Sequence, residues 1–289
     1  MKRRSSNHRA IAGVANAKIN LTLHVTGKLP NGFHEIDSLV VFTGFGDTLE
    51  LEPAERYSLS THGPYSKALP HPSENIILSA LRLLEERGTG FRVNLKKSIP
   101  VSAGLGGGSM NAALALRLAS DYLKCPLPTD TRKITSIGSD LPVCLTGKPS
   151  MVSGLGEKIA VLDSFPEFPL LLVNPNKPVQ TQDVYKGLTK VNNSSQTPFP
   201  ALGNKNDIIS WIREQRNDLE PPALQLCPEI KDILSRLQDQ EGCLVARMSG
   251  SGGTCFGIFQ TAEQVSVAAK TIKQLEPGWW IQPTRILPA

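Results

Sequence analysis

Residues Gly104-Leu105-Gly106-Gly107-Gly108-Ser109 place four glycines in five positions directly ahead of a helix-forming run. With no side chains in the way, the backbone N–H groups of such a loop can close around an anion. The helix N-terminus that follows adds unpaired donors and the positive end of its dipole. Phosphate binding is the chemistry this predicts. Two widespread templates do not fit. The dinucleotide fingerprint needs glycine where Ser109 stands, and the P-loop needs a lysine after its last glycine, which is missing here. A second run, Ser249-Gly250-Ser251-Gly252-Gly253, lies between two strand-like stretches. It reads either as a hairpin turn or as a second phosphate or substrate contact.

Lys18 is the next residue of interest. Ile19, Leu21, Leu23 and Val25 alternate strictly, which predicts a strand over Ala17 to Val25 with one buried face. A lysine in such a strand is either at its exposed start or buried, and a buried ammonium must be paired. Asp140, in Gly138-Ser139-Asp140-Leu141-Pro142, reads by itself as a turn cap or as an acid–base group.

The elements that must position these groups can be sketched from pattern. Pro30-Asn31-Gly32 makes a turn, and short strands are expected at Ser38 to Thr43 and Thr48 to Leu51. Residues 60–72, rich in Pro, Gly, Ser and His, read as an exposed loop. Ser73 is the expected cap of a helix with Ile76, Ile77, Ala80, Leu81 and Leu84 on one stripe, stopped at Gly88. Phe91 to Leu95 alternates as a strand leading into the glycine loop, and Ala112 to Leu123 and Asp130 to Ile137 read as helices. The character changes near residue 160. Leu170 to Val173 is a short, uniformly apolar strand, and residues 186–207 are a polar loop. A helix opened by Pro228, strands at Leu244 to Ala246 and Cys255 to Phe259, a helix through Val265 to Leu275 and a strand near Trp279 to Ile281 follow. That order predicts a compact α+β second domain, with the chain divided into residues 1–160 and 161–289.

Composition sets bounds on function. The chain has 289 residues, 40% hydrophobic and 20% charged, as expected of a soluble globular protein. No apolar run approaches the roughly 20 residues of a membrane span. Residues 1–10 are basic without a following apolar stretch and read as a mobile leader. Five scattered cysteines show neither metal-ligand nor disulfide spacing, which favours a reducing cytoplasm. Cys144 and Cys255, in apolar contexts, read as core fillers. A net charge of +5 suits an anionic substrate. Basic residues do not cluster with aromatics, so no nucleic-acid partner is expected.

Four separated segments carry a resemblance: Ala17-Lys18-Ile19-Asn20-Leu21, Gly32-Phe33-His34-Glu35, Pro100 to Ser109 with Asn111-Ala112-Ala113, and Gly138 to Pro142. In order and spacing they resemble the GHMP kinases, from about residue 14 to residue 260, together with Gly154 to Glu157, Asn217 to Glu220 and Met248 to Gly253. Gly32 to Glu35 sets the chain apart from the homoserine, mevalonate and galactose kinases of that family. The resemblance implies an α+β fold of two domains, the N-terminal one ribosomal protein S5 domain 2-like and the C-terminal one ferredoxin-like. The acceptor would lie in the cleft between them.

The resemblance also implies ATP and Mg²⁺, with transfer of the γ-phosphate to a hydroxyl of a small cytidine diphosphate compound, in a monomer or weak homodimer. Lys18 and Asp140 would be the catalytic pair, Asp140 accepting the hydroxyl proton. Pro100, Val101, Ser102, Ala103, Gly104, Leu105, Gly106, Gly107, Gly108, Ser109 and Met110 would hold ATP. Asn20, Phe33, His34, Thr181 and Tyr185 would contact the acceptor, with the metal ligands unassigned. Asn16, Phe33 and Met110 depart from the family's usual proline, tyrosine and small residue, and Met110 removes a hydroxyl that could serve phosphate or metal. Two other readings stay open. One is a GHMP kinase for a sugar or mevalonate-type acceptor, and the other a catalytically idle ligand-binding relative.

Overall fold

The computed structural model describes residues 10–200 and 203–289. All but Ala10 of the leader read at residues 1–10 lies outside them. The alternating stretch near the start forms two strands, β1 (Ile11–Asn20) and β2 (His24–Lys28), where one was expected. The ladder breaks at Thr22, whose Oγ1 takes the Leu39 N–H at 2.9 Å, and at Leu23, whose N–H turns to Arg216 O. Ile19, Leu21, Leu23 and Val25 are buried as their alternation predicts. The opposite row, Lys18, Asn20, Thr22 and His24, is buried too, so those polar groups must find partners inside the protein.

Both strands pair antiparallel with β3 (His34–Ala54), a single 21-residue strand where two short ones were expected. Its alternation changes phase part-way. Val40 and Phe42 face the same core as Leu49 and Leu51, so even positions give way to odd ones. The change falls where the β1–β3 register slips, between the Asn16↔Gly46 and Lys18↔Phe42 pairs. A bulge of this kind hides strand continuity from a period-2 reading.

The far half of β3 pairs with β5 (Gly90–Lys96), and β4 (Ser58–His62) runs parallel to β5. The stretch expected as loop at 60–72 therefore begins in a strand and continues through two short 3₁₀ turns. Helix α1 (Ile76–Leu81) is capped by Asn75, which accepts the Ile77 N–H at 3.0 Å, and not by Ser73. Helix α2 (Gly107–Leu123) begins inside the glycine loop, ahead of the expected start at Ala112. Asp130 caps α3 (Thr131–Ile137). Three elements that had no pattern signal follow: α4 (Leu141–Thr146), β6 (Ser150–Gly154) and β7 (Lys158–Val161), with β6 paired to β3. Helices α1 and α2 bury Ile77, Leu81, Ala112 and Leu116 against Leu49, Leu51, Phe91 and Val93 of the sheet.

Beyond Val161 lie β8 (Phe168–Asn174), α5 (Thr181–Lys186), α6 (Lys205–Glu214), α7 (Glu220–Leu226) and α8 (Glu229–Gln238). β9 (Cys243–Met248), β10 (Cys255–Phe259), α9 (Ala262–Leu275) and β11 (Trp280–Ile286) complete the order. The polar stretch expected as loop to residue 207 gives way to α6 at Lys205, opened by an Asn204–Asp207 capping box. Strands and helices in the order β8-α8-β9-β10-α9-β11, with the antiparallel sheet order β11-β8-β10-β9, make a ferredoxin-like unit. Strand β8 is uniformly apolar because both its faces are covered. Leu171 and Val173 meet α8 and α9, while Leu170 and Leu172 meet α6 and the Ile19–Val41 side of β1 and β3. The Ile286↔Thr43 pair joins β11 to β3, so the strands of both halves form one sheet.

Candidate active site

Two polar residues of β1, Lys18 and Asn20, face a cavity of about 790 Å³. Lys18, buried, puts its Nζ 2.9 Å from Asp140 Oδ2 and donates to Asn20 Oδ1 at 2.9 Å. Asn20 in turn donates through Nδ2 to Ser38 Oγ at 2.7 Å. Asp140 stands just before α4, yet its side chain caps no backbone N–H there. The carboxylate is thus turned away from the turn and toward Lys18, with 42% of its side chain exposed. A carboxylate placed beside an ammonium and open to a ligand is the arrangement a general base needs.

The glycine loop closes over this pair. The Lys18 N–H donates to Leu105 O at 3.0 Å. Gly106 has φ +60°, and a Cβ placed on it would lie 3.1 Å from Lys18 Cε and 3.7 Å from Asp140 Oδ2. Any side chain there would press on the pair, and the left-handed backbone favours glycine independently. From Gly107 the chain enters α2, so the free N–H groups of its first turn open at the same place.

The second glycine run is no simple hairpin. It packs on the first, with Ser249 Oγ donating to Gly104 O at 3.1 Å and the Thr254 N–H to Ala103 O at 3.2 Å. The Asn20 N–H donates to Ser249 Oγ, also at 3.1 Å. Gly250 and Ser251 line the cavity, and the Ser251 hydroxyl meets that of Thr181 at 2.8 Å.

At the other end of the cavity the His34 and Tyr185 rings stack, with centroids 5.0 Å apart and planes 29° from parallel. Burial, and then the nearby Lys28 ammonium, hold the His34 imidazole below its ordinary pKa. It is therefore neutral near pH 7 and offers one donor and one acceptor. Burial, with the Asp140 charge second, raises the Tyr185 phenol, which stays a neutral hydroxyl. Phe33, next to His34 in sequence and 63% exposed, lines the same cavity.

Lys18, Asn20, Phe33, His34, Asp140, Thr181, Tyr185 and every residue from Pro100 to Ser109 line this one cavity. Met110 does not join them. Its side chain lies in the core beneath α2, and its N–H is taken by Gly106 O at 2.8 Å, so it presents nothing to a ligand. Among the described residues, four lysines line the cavity (Lys18, Lys28, Lys97 and Lys186) with the carboxylate of Asp140, Lys97 and Lys186 being paired to Asp47 and Asp183 outside its lining. That balance suits polyanions.

Family models for the GHMP kinases N terminal domain and the GHMP kinases C terminal match residues 75–154 and 199–275. A 4-diphosphocytidyl-2-C-methyl-D-erythritol kinase from Dinoroseobacter shibae is 44% identical over 97% of this chain and 96% of its own length. One from Cereibacter sphaeroides is also 44% identical, over 94% of this chain and 98% of its own. The chain belongs to the GHMP kinases, among the 4-diphosphocytidyl-2-C-methyl-D-erythritol kinases. A crystal structure of 4-(cytidine 5'-diphospho)-2C-methyl-D-erythritol kinase superposes with TM-score 0.76 at 29% identity, over 96% of this chain and all of that one. Homoserine kinase from Cytophaga hutchinsonii shares the fold, with TM-score 0.70 at 18% identity over 100% of this chain and 99% of its own. This GHMP kinase is therefore an ATP-dependent small-molecule kinase with the two-domain α+β fold of its family.

Pattern reading passed over several residues of the kinase's cavity. Lys28, Asn75, Lys97 and Asn111 line it, and Asp47 is buried beside it. Asp47 carried the same signal as Lys18. It alternates with Phe45, Leu49 and Leu51, the last two buried, so a fully buried carboxylate was readable there. Asn75 and Lys97 had no comparable mark, because each lies at an element boundary. The five cysteines are free. Cys144 and Cys255 are buried, and burial raises both thiols, so they fill core as expected. No helix among the described residues is long and apolar enough to cross a membrane.

Proposed function

We propose that this kinase transfers the γ-phosphate of ATP to the 2-hydroxyl of 4-diphosphocytidyl-2-C-methyl-D-erythritol, in non-mevalonate isoprenoid precursor synthesis. The observation that carries the reading is the Lys18 Nζ–Asp140 Oδ2 pair at 2.9 Å directly beneath Gly106, in the same cavity as the His34–Tyr185 stack.

In this reading ATP lies with its phosphates against the Gly104–Ser109 amides and the start of α2. The cytidine end of the acceptor lies against His34 and Tyr185, with Phe33 flanking it and Thr181 closing the side near Ser251. Neutral imidazole offers the donor–acceptor pairing that a cytosine edge requires. The acceptor hydroxyl lies between the two ends, oriented by Asn20. Its proton passes to the Asp140 carboxylate as its oxygen closes on the γ-phosphorus, and the bond to the β-phosphate oxygen breaks to leave ADP. Lys18 offsets negative charge as it develops, and the loop amides do the same on the leaving side.

Mg²⁺ completes the reading. Among the described residues no group of three or more His, Cys, Asp and Glu could hold a metal ion. The residues fit an ion carried in mostly by the triphosphate, with the Ser109 hydroxyl and the Asp140 carboxylate within the same cavity. Such an ion would neutralise phosphate charge during transfer.

We place the division of labour near residue 160, with ATP held by residues 1–160 and the acceptor shared with residues 161–289. The supporting features are the end of β7 at Val161 and the start of the ferredoxin-like unit at Phe168. Five free cysteines suit a reducing cytoplasm.

The test is direct. Incubation with ATP, Mg²⁺ and the cytidyl acceptor should yield a monophosphorylated acceptor and ADP in equal amounts. Phosphorylation of mevalonate, homoserine or a simple sugar, with none of the cytidyl compound, would overturn the assignment.

A further inference from the structure

Asp47 lies on β3, fully buried, one layer behind the cavity wall rather than in it. Its carboxylate nevertheless gathers four donors. Oδ1 accepts the Ser98 N–H at 2.7 Å and the Ile99 N–H at 2.9 Å. Oδ2 accepts from Lys97 Nζ at 2.6 Å and from Asn111 Nδ2 at 3.0 Å. Two carboxylate oxygens have about four lone-pair sites, so this group is saturated.

The four donors are arranged in a telling way along the chain. Lys97, Ser98 and Ile99 immediately precede Pro100, where the loop enters the cavity wall. Asn111 stands in α2, just after Ser109, where the loop leaves it. One buried carboxylate thus holds both ends of the ten-residue run 100–109. The loop also rests on this anchor. A Cβ placed on Gly107 would lie 3.2 Å from Lys97 Nζ and 3.8 Å from Asp47 Oδ2. Asn111 Oδ1 is buried without a hydrogen-bond partner, so the amide is held through the bond its NH₂ makes to Asp47.

From this we propose that Asp47 is a positioning residue for ATP: it clasps the base of the glycine loop and sets the spacing of the amides that receive the phosphates. A charge that served only the core would be simpler to omit, since replacing a buried ion pair with apolar groups is often neutral or stabilising. Here the carboxylate does something an apolar group could not. It satisfies two backbone N–H groups ahead of the loop and a side chain behind it at once. Among the described residues, Phe33, His34, Thr181 and Tyr185 make no hydrogen bond or ion pair with Asp47, Lys97 or Asn111.

The inference rests on Gly104–Ser109 being the ATP loop, and the experiment separates the two. The full-length Asp47→Asn variant keeps the shape but has one acceptor oxygen where the aspartate had two. Its KM for ATP should rise about 10- to 100-fold, as expected for one or two lost charge-assisted hydrogen bonds. Its kcat should stay within about threefold and its acceptor KM within about twofold, the signature of lost binding rather than lost chemistry. Asn111→Ala, which frees one end of the loop and leaves the Lys97 pair intact, should show a smaller rise in the same constant. Asp47→Asn combined with Asn111→Ala should raise it by less than the product of the two.

A folded Asp47→Asn protein with an unchanged KM for ATP would overturn the inference. So would a parallel rise in both KM values. Should Asp47→Asn fail to fold, Asn111→Ala decides, and an unchanged KM for ATP there overturns it. Wild-type protein that turns over no ATP at all would instead remove the function proposed above.

Discussion

Gly104 and Ser249, 145 residues apart in sequence, meet peptide to peptide. A Cβ placed on Gly104 would lie 2.5 Å from Ser249 O and 2.8 Å from Gly252 O, while Ser249 Oγ donates to Gly104 O at 3.1 Å. The loop read as the phosphate cradle is therefore held from behind by a loop of the C-terminal half.

Gly104→Ala tests that contact. Gly104 has φ +71°, and both atoms that a methyl group would strike are rigid backbone. The substitution should lower stability by about 1–3 kcal/mol, the range for strain at a left-handed position combined with overpacking. Denaturant unfolding measures this directly. The KM for ATP should rise in the same variant, because the displaced loop is the one proposed above to meet the nucleotide.

Asp140→Asn keeps the size of the side chain but cannot accept the acceptor's proton. Turnover should fall by about 10² to 10⁴, the usual contribution of a positioned base. ATP binding, followed by calorimetry, should persist. Turnover near wild type would remove Asp140 from the mechanism.

Acceptor recognition should depend on pH through His34. Burial and Lys28 lower its pKa from the ordinary 6.5. The folded protein therefore binds the proton less readily than the unfolded chain. The neutral imidazole and its contribution to stability are fully present above 6.5 and are lost as pH falls through the lowered folded value. Acceptor KM should rise on the acid side of a titration between about pH 5 and 8, with the KM for ATP as the internal control. His34→Gln should flatten that limb.

Tyr185→Ala removes the ring stacked on His34 at 5.0 Å. Acceptor KM should rise by roughly tenfold, in line with the ~1 kcal/mol of an aromatic pair plus lost apolar contact, while the KM for ATP holds. Tyr185→Phe, which keeps the ring, should restore most of the affinity. Steady-state kinetics on both variants distinguishes stacking from any role of the hydroxyl.

Much of this site was legible in the sequence, for reasons that differ by residue. The glycine loop shows itself through composition, and Lys18 through a charge in an alternating apolar strand. Asp140, Phe33, His34 and Tyr185 were reachable by resemblance, since a turn aspartate or a lone histidine has no local mark of chemistry. The Thr181–Ser251 contact joins residues 70 positions apart, and no local pattern encodes it. Met110 was assigned to the ligand through the resemblance, as the last residue of the run implied to hold ATP. Helix geometry turns it into the core instead, one turn after Gly106. The short elements α4, β6 and β7 were missed because each is too brief to display a period.

Strand β3 carries His34 at its start, Ser38 under Asn20, and Asp47 beyond the slip at Thr43–Phe45. The acceptor end and the loop's clasp are therefore set out along one continuous piece of backbone. Loss of a single residue within that slip would not weaken one subsite in isolation. It would turn Asp47, Leu49 and Leu51 together to the opposite face, emptying the clasp and stripping the core beneath α2 in one step. Point substitutions along β3 can be absorbed one side chain at a time, but a change in its length cannot.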